Sequence, residues 1–538
     1  MTTTACGRLC PQCGFAPSES PLPDGISAAR VQEMVFCNDA PVGTERTELE
    51  AVVREGERYL ALLQQRISLT RNTLESLLEE QNRAVKHISD SKSVLNPVRR
   101  LPSEILSHIF RSCLPWDGLL YPSTDVQETI TLLDSLNIKN PPWNLSYVSS
   151  QWRQAALTTP GLWSYIQLQL RRYKGRRTSL YRLVTYLERS GTQNLTVVIE
   201  SDRDMSDHPI LPVILSTSPR WNGLFVKLPF SALHIFRNVS GSLGALKWLG
   251  VRLGGEPIEP VTTIEAFRFA PQLRELRLMG WNSAICFHDL FHLPWDQITE
   301  ATVQGNNIQS LAVLRKAPNL RYGVFAACKD LLPDAPSELC RHAHLQMLVI
   351  ATGPESSSEF IAELLSGLAL PRLLELWMAF SDTKEDIVFP KFTSETAPML
   401  ENLCIDLDYS KTLNSQMLTS LLKHTPFLKR LKLSAKVTTD DVFLQLGIKT
   451  DFSQFVPQLQ GIDLTGTTFE FEHASSIFSG MVASRREAVD GTRTFKTLIL
   501  DEPLDFDDDN LSARWERLCL DGLDVQYGAG KELEGFSF

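Results

Sequence analysis

At 538 residues, with 43% apolar and 22% charged residues, the chain is too long for one compact domain and too ordinary in composition to be disordered throughout. A net charge of −10 argues against a broad nucleic-acid footprint, and no run of about eighteen apolar residues is present to cross a membrane. The opening residues lack the basic and apolar regions of a secretory leader, and ten cysteines are too few for a disulfide framework, so a reducing compartment, cytoplasm or nucleus, is expected.

Residues 1–45 mix Pro, Gly, Ser and Thr and are expected to be a mobile arm without a core. Cys6, Cys10 and Cys13 cluster there, with Cys37 beyond. "CPQCG" resembles one zinc knuckle, but a tetrahedral site needs a second close pair, so no metal is assigned. Residues 46–95 change character. Leu49, Val53, Gly56, Leu60, Leu63, Ile67, Thr70, Leu74, Leu77, Gln81, Ala84 and Ile88 alternate at spacings of four and three, and nine of these twelve are apolar. That stripe predicts a coiled-coil helix. Two partners for it stay open: a second copy, giving a homodimer through 49–88, or the rest of the same chain.

Two short amphipathic helices follow within residues 96–170. In "VRRLPSEILSHIF" Ile105, Leu106, Ile109 and Phe110 share one side, and in "NLSYVSSQWRQAA" Leu145, Val148 and Trp152 do. Leu101, Pro102, Ile105, Ile109 and Phe110 are expected to form an exposed apolar patch. Together with Arg153 and Trp163, these residues resemble an F-box: Leu-Pro, an Ile/Leu-Phe helix, then Val-x-x-x-Trp-Arg. A segment inserted at 116–143 and the preceding helix make the arrangement similar to the large F-box family of mushroom-forming fungi. The resemblance implies a small all-α module docking on the Skp adaptor of a cullin-based ubiquitin ligase through Leu101, Pro102, Ile105, Leu106, Ile109, Phe110, Val148, Trp152 and Arg153.

From residue 190 to 538 one phrase recurs: apolar, two residues, apolar, one residue, apolar. It starts at Leu246, Leu273, Ile298, Leu320, Leu345, Leu373, Leu400, Leu428 and Leu459, at intervals of 22–31 residues, with echoes at Trp221, Phe495 and Trp515. Pro271, Pro318, Pro371, Pro398, Pro426 and Pro457 stand just ahead of it, where they would end helices such as "NIQSLAVLRKAP". The period is that of leucine-rich repeats, so the predicted fold class is α/β, a leucine-rich-repeat-like solenoid preceded by the F-box-like module and the coiled-coil helix.

Motifs for chemistry are sparse. Val525 and Glu532 spoil a phosphate loop in "YGAGKELEG", the acidic run 501–510 has no EF-hand spacing, and the histidines lack ligand partners, so no catalytic residue, cofactor or metal is assigned. "RRYKGRR" at 171–177 reads as a solvated link. The phrase itself predicts a binding surface. Its first, fourth and sixth residues point inward, so its third, fifth and seventh face outward. Early units present Trp248, Arg252, Glu275 and Arg277, and late ones Asn402, Asp406, Arg430, Lys432, Asp463, Asp501 and Asp521. Tyr322, Val324, Met347, Val349 and Trp377 make the centre apolar, the expected seat of a protein substrate. Binding is thus the expected work: as a ligase substrate receptor, or as a ligase-independent interaction scaffold, with an unrecognised enzyme as a third class.

Overall fold

The computed structural model describes residues 26–114, 134–173, 177–255, 263–279, 287–327, 339–353, 357–380, 387, 390, 396–407, 412–438, 440–447, 456–469, 474–486, 495–504, 506 and 509–528. The Cys6–Cys13 cluster, most of the insertion, nearly all of "YGAGKELEG" and the apolar "EGFSF" terminus lie outside them. The chain is an α/β protein with a long N-terminal helix and a large parallel sheet, divided into two compact units at Pro102.

In the first unit, helix α1 (Ala28–Cys37) stands where composition predicts an arm without order. Ser27 caps it through the Arg30 N–H, Met34 is buried, and Arg30 reaches both Glu33 (2.9 Å) and Glu45 (3.3 Å). Helix α2 (Glu45–Leu95) runs 51 residues without proline, about 76 Å at helical rise. Glu45 and Glu48 suit the positive end of its dipole, and Asn96, held extended by the following Pro97, ends it. No residue of α2 is buried.

The second unit begins with α3 (Ser103–Ser112) and α4 (Ser150–Leu157), the latter capped by Ser149, whose hydroxyl accepts the Trp152 N–H at 3.2 Å. Strands follow in steady succession: β1 (Tyr165–Gln169), β2 (Leu195–Glu200), β3 (Trp221–Pro229), β4 (Trp248–Gly254), β5 (Glu275–Met279) and β6 (Glu300–Gly305). Next come β7 (Tyr322–Ala327), β8 (Cys340–Arg341), β9 (Met347–Thr352), β10 (Leu368–Ala369), β11 (Glu375–Phe380) and β12 (Asn402–Leu407). The last are β13 (Arg430–Ser434), β14 (Lys436–Val437), β15 (Gly461–Asp463), β16 (Thr468–Phe469), β17 (Thr497–Leu500) and β18 (Asp524–Tyr527). Fourteen of them form one parallel sheet in chain order, while β8 pairs with β10 and β14 with β16. The sheet starts at β1, ahead of the recurring phrase.

One backbone device repeats along this sheet. The second and third N–H groups of each phrase both donate to the second carbonyl of the phrase before: Arg274 and Glu275 to Lys247 (2.8 and 3.1 Å), and so on to Lys496 and Thr497 on Gln460 (2.6 and 3.1 Å). These rungs hold the phrases in register, third residue against third, from Trp248↔Glu275 to Gly461↔Thr497. Pro318 stands directly after the C-cap of the helix Asn307–Lys316, as expected, and the prolines have a second role besides. Leu273, Leu320, Leu373, Leu400, Leu428 and Leu459 donate to the carbonyl three residues back at 3.1–3.4 Å, closing four-residue turns with proline second. Proline's fixed φ suits that position. Helices still fill the connections: Asn307–Lys316, Glu359–Ser366 and Ser415–Leu422 lie where the leucine spacing puts them.

The phrase before β9 has no proline, and a side chain takes over the turn. His342, 2% exposed, accepts the Leu345 N–H at Nδ1 (3.2 Å) and must donate from Nε2 to the Ala317 carbonyl (2.9 Å). Burial lowers its pKa and keeps the ring neutral. The last echo is misread by sequence: "WERLCL" lies in the helix Asp509–Leu520, and Leu523 leads into the final strand instead.

Candidate functional site

Two apolar faces survive as candidates, one on α3 and one on the sheet. On α3 the four apolar residues split into two stripes, because consecutive helical residues turn by about 100°. Leu106 and Phe110 are fully buried, with the Phe110 ring 4.9 Å from that of Trp152. Ile105 and Ile109, rotated one residue back, remain 46% and 41% exposed. The expected patch is therefore corrected: Phe110 belongs to the packing between α3 and α4. A Ser107–Thr159 hydrogen bond of 2.8 Å fixes the same packing. Val148 is 60% exposed, Trp152 is half-buried, and Arg153 is turned back so that its Nε donates to the Ser146 carbonyl at 3.0 Å. Leu101 and Pro102 fall at the end of the first unit.

The end of the insertion is built into the second unit. Asp134, Ser135, Leu136 and Trp143 are all buried. The Trp143 indole donates to the Ser135 carbonyl (2.7 Å) and meets Trp163 edge-on at 5.1 Å, with Tyr186 completing the cluster. The Arg189 guanidinium lies over both indoles, 4.7 Å from Trp143 and 4.5 Å from Trp163. Segments on either side of α4 thereby share one aromatic core with the start of the sheet.

On the sheet, register brings the five expected residues together. Tyr322 faces Met347, and Val324 faces Val349, which in turn faces Trp377, across β7, β9 and β11. The next row on the same side is Ala326, Ala351 and Ala379, which leaves a shallow apolar floor beside the larger side chains. Tyr322 is 44% exposed, and the others are half-buried. Glutamates bracket the patch: Glu300 pairs in register with Tyr322, and Glu375 with Met347. Partial burial, with Glu275 nearby, raises the Glu300 carboxyl. Partial burial also raises Glu375, which accepts from Asn402 Nδ2 at 3.1 Å. Arg277 beside Glu300 and Arg430 beside Glu375 offset this in part.

Either flank of this face departs from the expected map. At the early end, Arg277 is buried, held by Glu275 and lying 5.4 Å from the Trp248 ring. Tyr165, Val198, Phe225 and Met279 form a buried cluster there, with Trp248 packed against it. At the late end, Lys432 stands 6.0 Å from the Trp377 ring and 3.5 Å from the buried Asp463 carboxylate. The strand between carries Cys404, fully buried on the supposedly open side, its thiol pushed well up by desolvation. Asp521 is not on the sheet at all. It opens the turn after a helix, and the last strand instead sets Asp524 in register with Thr497.

Sequence reasoning missed Cys404, the bracketing pair Glu300 and Glu375, and His342. Counting every third, fifth and seventh phrase residue would have found the first three. The missing proline before Leu345 marks the fourth. Among the described residues, no three His, Cys, Asp or Glu side chains gather as a metal would require, and no helix is long and apolar enough to cross a membrane. In comparison with known proteins, the chain matches no family model and no curated protein.

Proposed function

We propose that this chain is the substrate-recognition subunit of a Skp-cullin-F-box ubiquitin ligase. In this reading α3 and α4 form the F-box-like module that docks on the Skp adaptor, and the sheet belongs to a leucine-rich-repeat-like solenoid that holds the target protein. The chain performs no chemistry itself; it raises the local concentration of a target lysine beside the charged enzyme. Cytoplasm or nucleus is where such a ligase would work.

The observation that carries the reading is the division of α3 within the Leu-Pro…Trp-Arg motif. One stripe holds the module together, while Ile105 and Ile109 are left in water, as an adaptor-binding helix requires. The repeating backbone rungs and the chain-order parallel sheet support the solenoid. On that sheet the target would place an apolar side chain beside Tyr322 and Trp377, with basic residues reaching Glu300 and Glu375.

The test is co-purification of the full-length chain with the Skp adaptor. Ile105→Asp with Ile109→Asp should abolish it while the circular dichroism spectrum stays unchanged. Retention of the adaptor by that double variant would sink the docking assignment. The aromatic core of Trp143, Trp163 and Tyr186 favours a second reading, in which the short helices merely cap the sheet of a ligase-independent scaffold. A wild-type chain that never captures the adaptor would support it.

A further inference from the structure

From the seam of α2 we infer that two copies of this chain pair through that helix in antiparallel orientation, about a two-fold axis between Ser68 and Leu69. The inference is independent of the ligase reading. Val53, Leu60, Ile67, Leu74, Leu77 and Ile88 are each 50–58% exposed, an apolar stripe about 53 Å long with nothing from its own helix to cover it. Its narrow width and spacing of four and three suit one further helix and no more.

Orientation follows from what each arrangement would juxtapose. Val53, Leu60, Ile67, Leu74, Gln81 and Ile88 occupy the a positions, and Leu49, Gly56, Leu63, Thr70, Leu77 and Ala84 the d positions. In a parallel, in-register pair each meets its own copy: Gly56 opposite Gly56 leaves a void, and Gln81 opposite Gln81 buries two amides. Arg66 at g would also stand against Arg71 at e of the second copy, on both sides of the seam. Reversing one helix removes all three faults. Leu49 then meets Ile88, Val53 meets Ala84, Gly56 meets Gln81, Leu60 meets Leu77, Leu63 meets Leu74 and Ile67 meets Thr70. The smallest residue faces the long amide, and the remaining layers are apolar or hold a single Thr.

Charge agrees with packing. Residues 45–57 carry the acids Glu45, Glu48, Glu50, Glu55 and Glu57 against Arg46 and Arg54. Residues 83–95 carry Arg83, Lys86 and Lys92 against Asp90. The antiparallel pair sets the acidic beginning of each helix beside the basic end of the other, and Arg66 and Arg71 face Thr73 and Gln64. The two helix dipoles also oppose. Such an interface is isologous, so it closes at two chains.

Oxidative cross-linking of the full-length chain tests this. Gly56→Cys and Gln81→Cys variants are mixed in equal amounts, oxidised, and their disulfides located by peptide mass so that native thiols are not confused with the new ones. The expected product joins position 56 of one chain to position 81 of the other, and neither variant links to itself alone. Self-linked products, 56 to 56 or 81 to 81, would establish a parallel pair and overturn the proposal. Val53→Cys mixed with Ala84→Cys repeats the reading without touching the glycine. Absence of cross-chain links in both pairs, or a monomer by sedimentation at about 50 µM, overturns it as well.

Discussion

The early and central parts of the sheet present the same side of one parallel sheet, yet one is closed and the other open. In β3 and β4 the aromatic residues lie down. A Cβ on Gly223 would come within 2.2 Å of the Trp248 indole, and one on Gly250 within 2.4 Å of the Phe225 ring. Each ring occupies the space that its glycine neighbour vacates, and the two pairs interlock across adjacent strands. In β7 and β11, Tyr322 stands between Glu300 and Met347, and Trp377 between Val349 and Cys404. There is no glycine to lie on, so Tyr322 keeps a face toward water. An outward aromatic residue is therefore a surface feature or a core residue according to what its cross-strand neighbour lacks.

That contrast can be broken at the closed end first. Gly223→Val should force the Trp248 ring off its seat and destabilise the sheet unit by about 3 kcal/mol, as overpacking of a filled site does. Urea unfolding followed by tryptophan fluorescence would measure it, and an unshifted midpoint would remove the interlock from the explanation. At the open end the balance is reversed. Tyr322→Ala with Trp377→Ala should cost little stability but weaken binding of a captured target by at least about 2 kcal/mol, roughly thirtyfold. Equal target retention by wild type and double variant would show that the open patch is not the seat.

The smallest expected effect separates the two regions by pH. Only the phrase before β9, in the open region, is turned by a histidine, and the folded state lowers the pKa of His342. The unfolded chain therefore takes up a proton there that the native chain refuses. Stability from this turn is whole above the ordinary histidine pKa of about 6.5 and is lost as pH falls below it. Melting temperatures from pH 7.5 to pH 5.5 should drop less steeply for His342→Asn than for wild type. Parallel slopes would mean that the ring is not held neutral.

How much of this was legible in sequence depended on where the leucines stood. Leu, x, x, Leu, x, Leu is readable because three inward positions repeat while their neighbours vary, and the central patch followed from simple alternation. Strands β1 and β2 escaped because "YIQLQ" and "LTVVIE" are buried on both sides, which erases the alternation. "WERLCL" deceived for the opposite reason: Trp515 and Leu518 at i and i+3 suit a helix as well as the phrase, and the helix won. On α3 the apolar residues were evident, but adjacent stripes carry the same letters. Only the position of α4 decides that Phe110 goes in and Ile109 stays out.

The chain-order rungs bear on how this molecule is made. Because the phrases start only 22–31 residues apart from Leu246 to Leu459, each of these strands finds both partners close by in sequence. A strand leaving the ribosome meets a finished edge already built by the residues before it, and needs nothing from residues not yet translated. The growing edge is satisfied within seconds of being exposed, at ordinary rates of synthesis of about 5–20 residues per second. A parallel sheet of fourteen strands, which assembled from a complete chain would be slow and prone to stick to its neighbours, is in this order laid down like courses of brick.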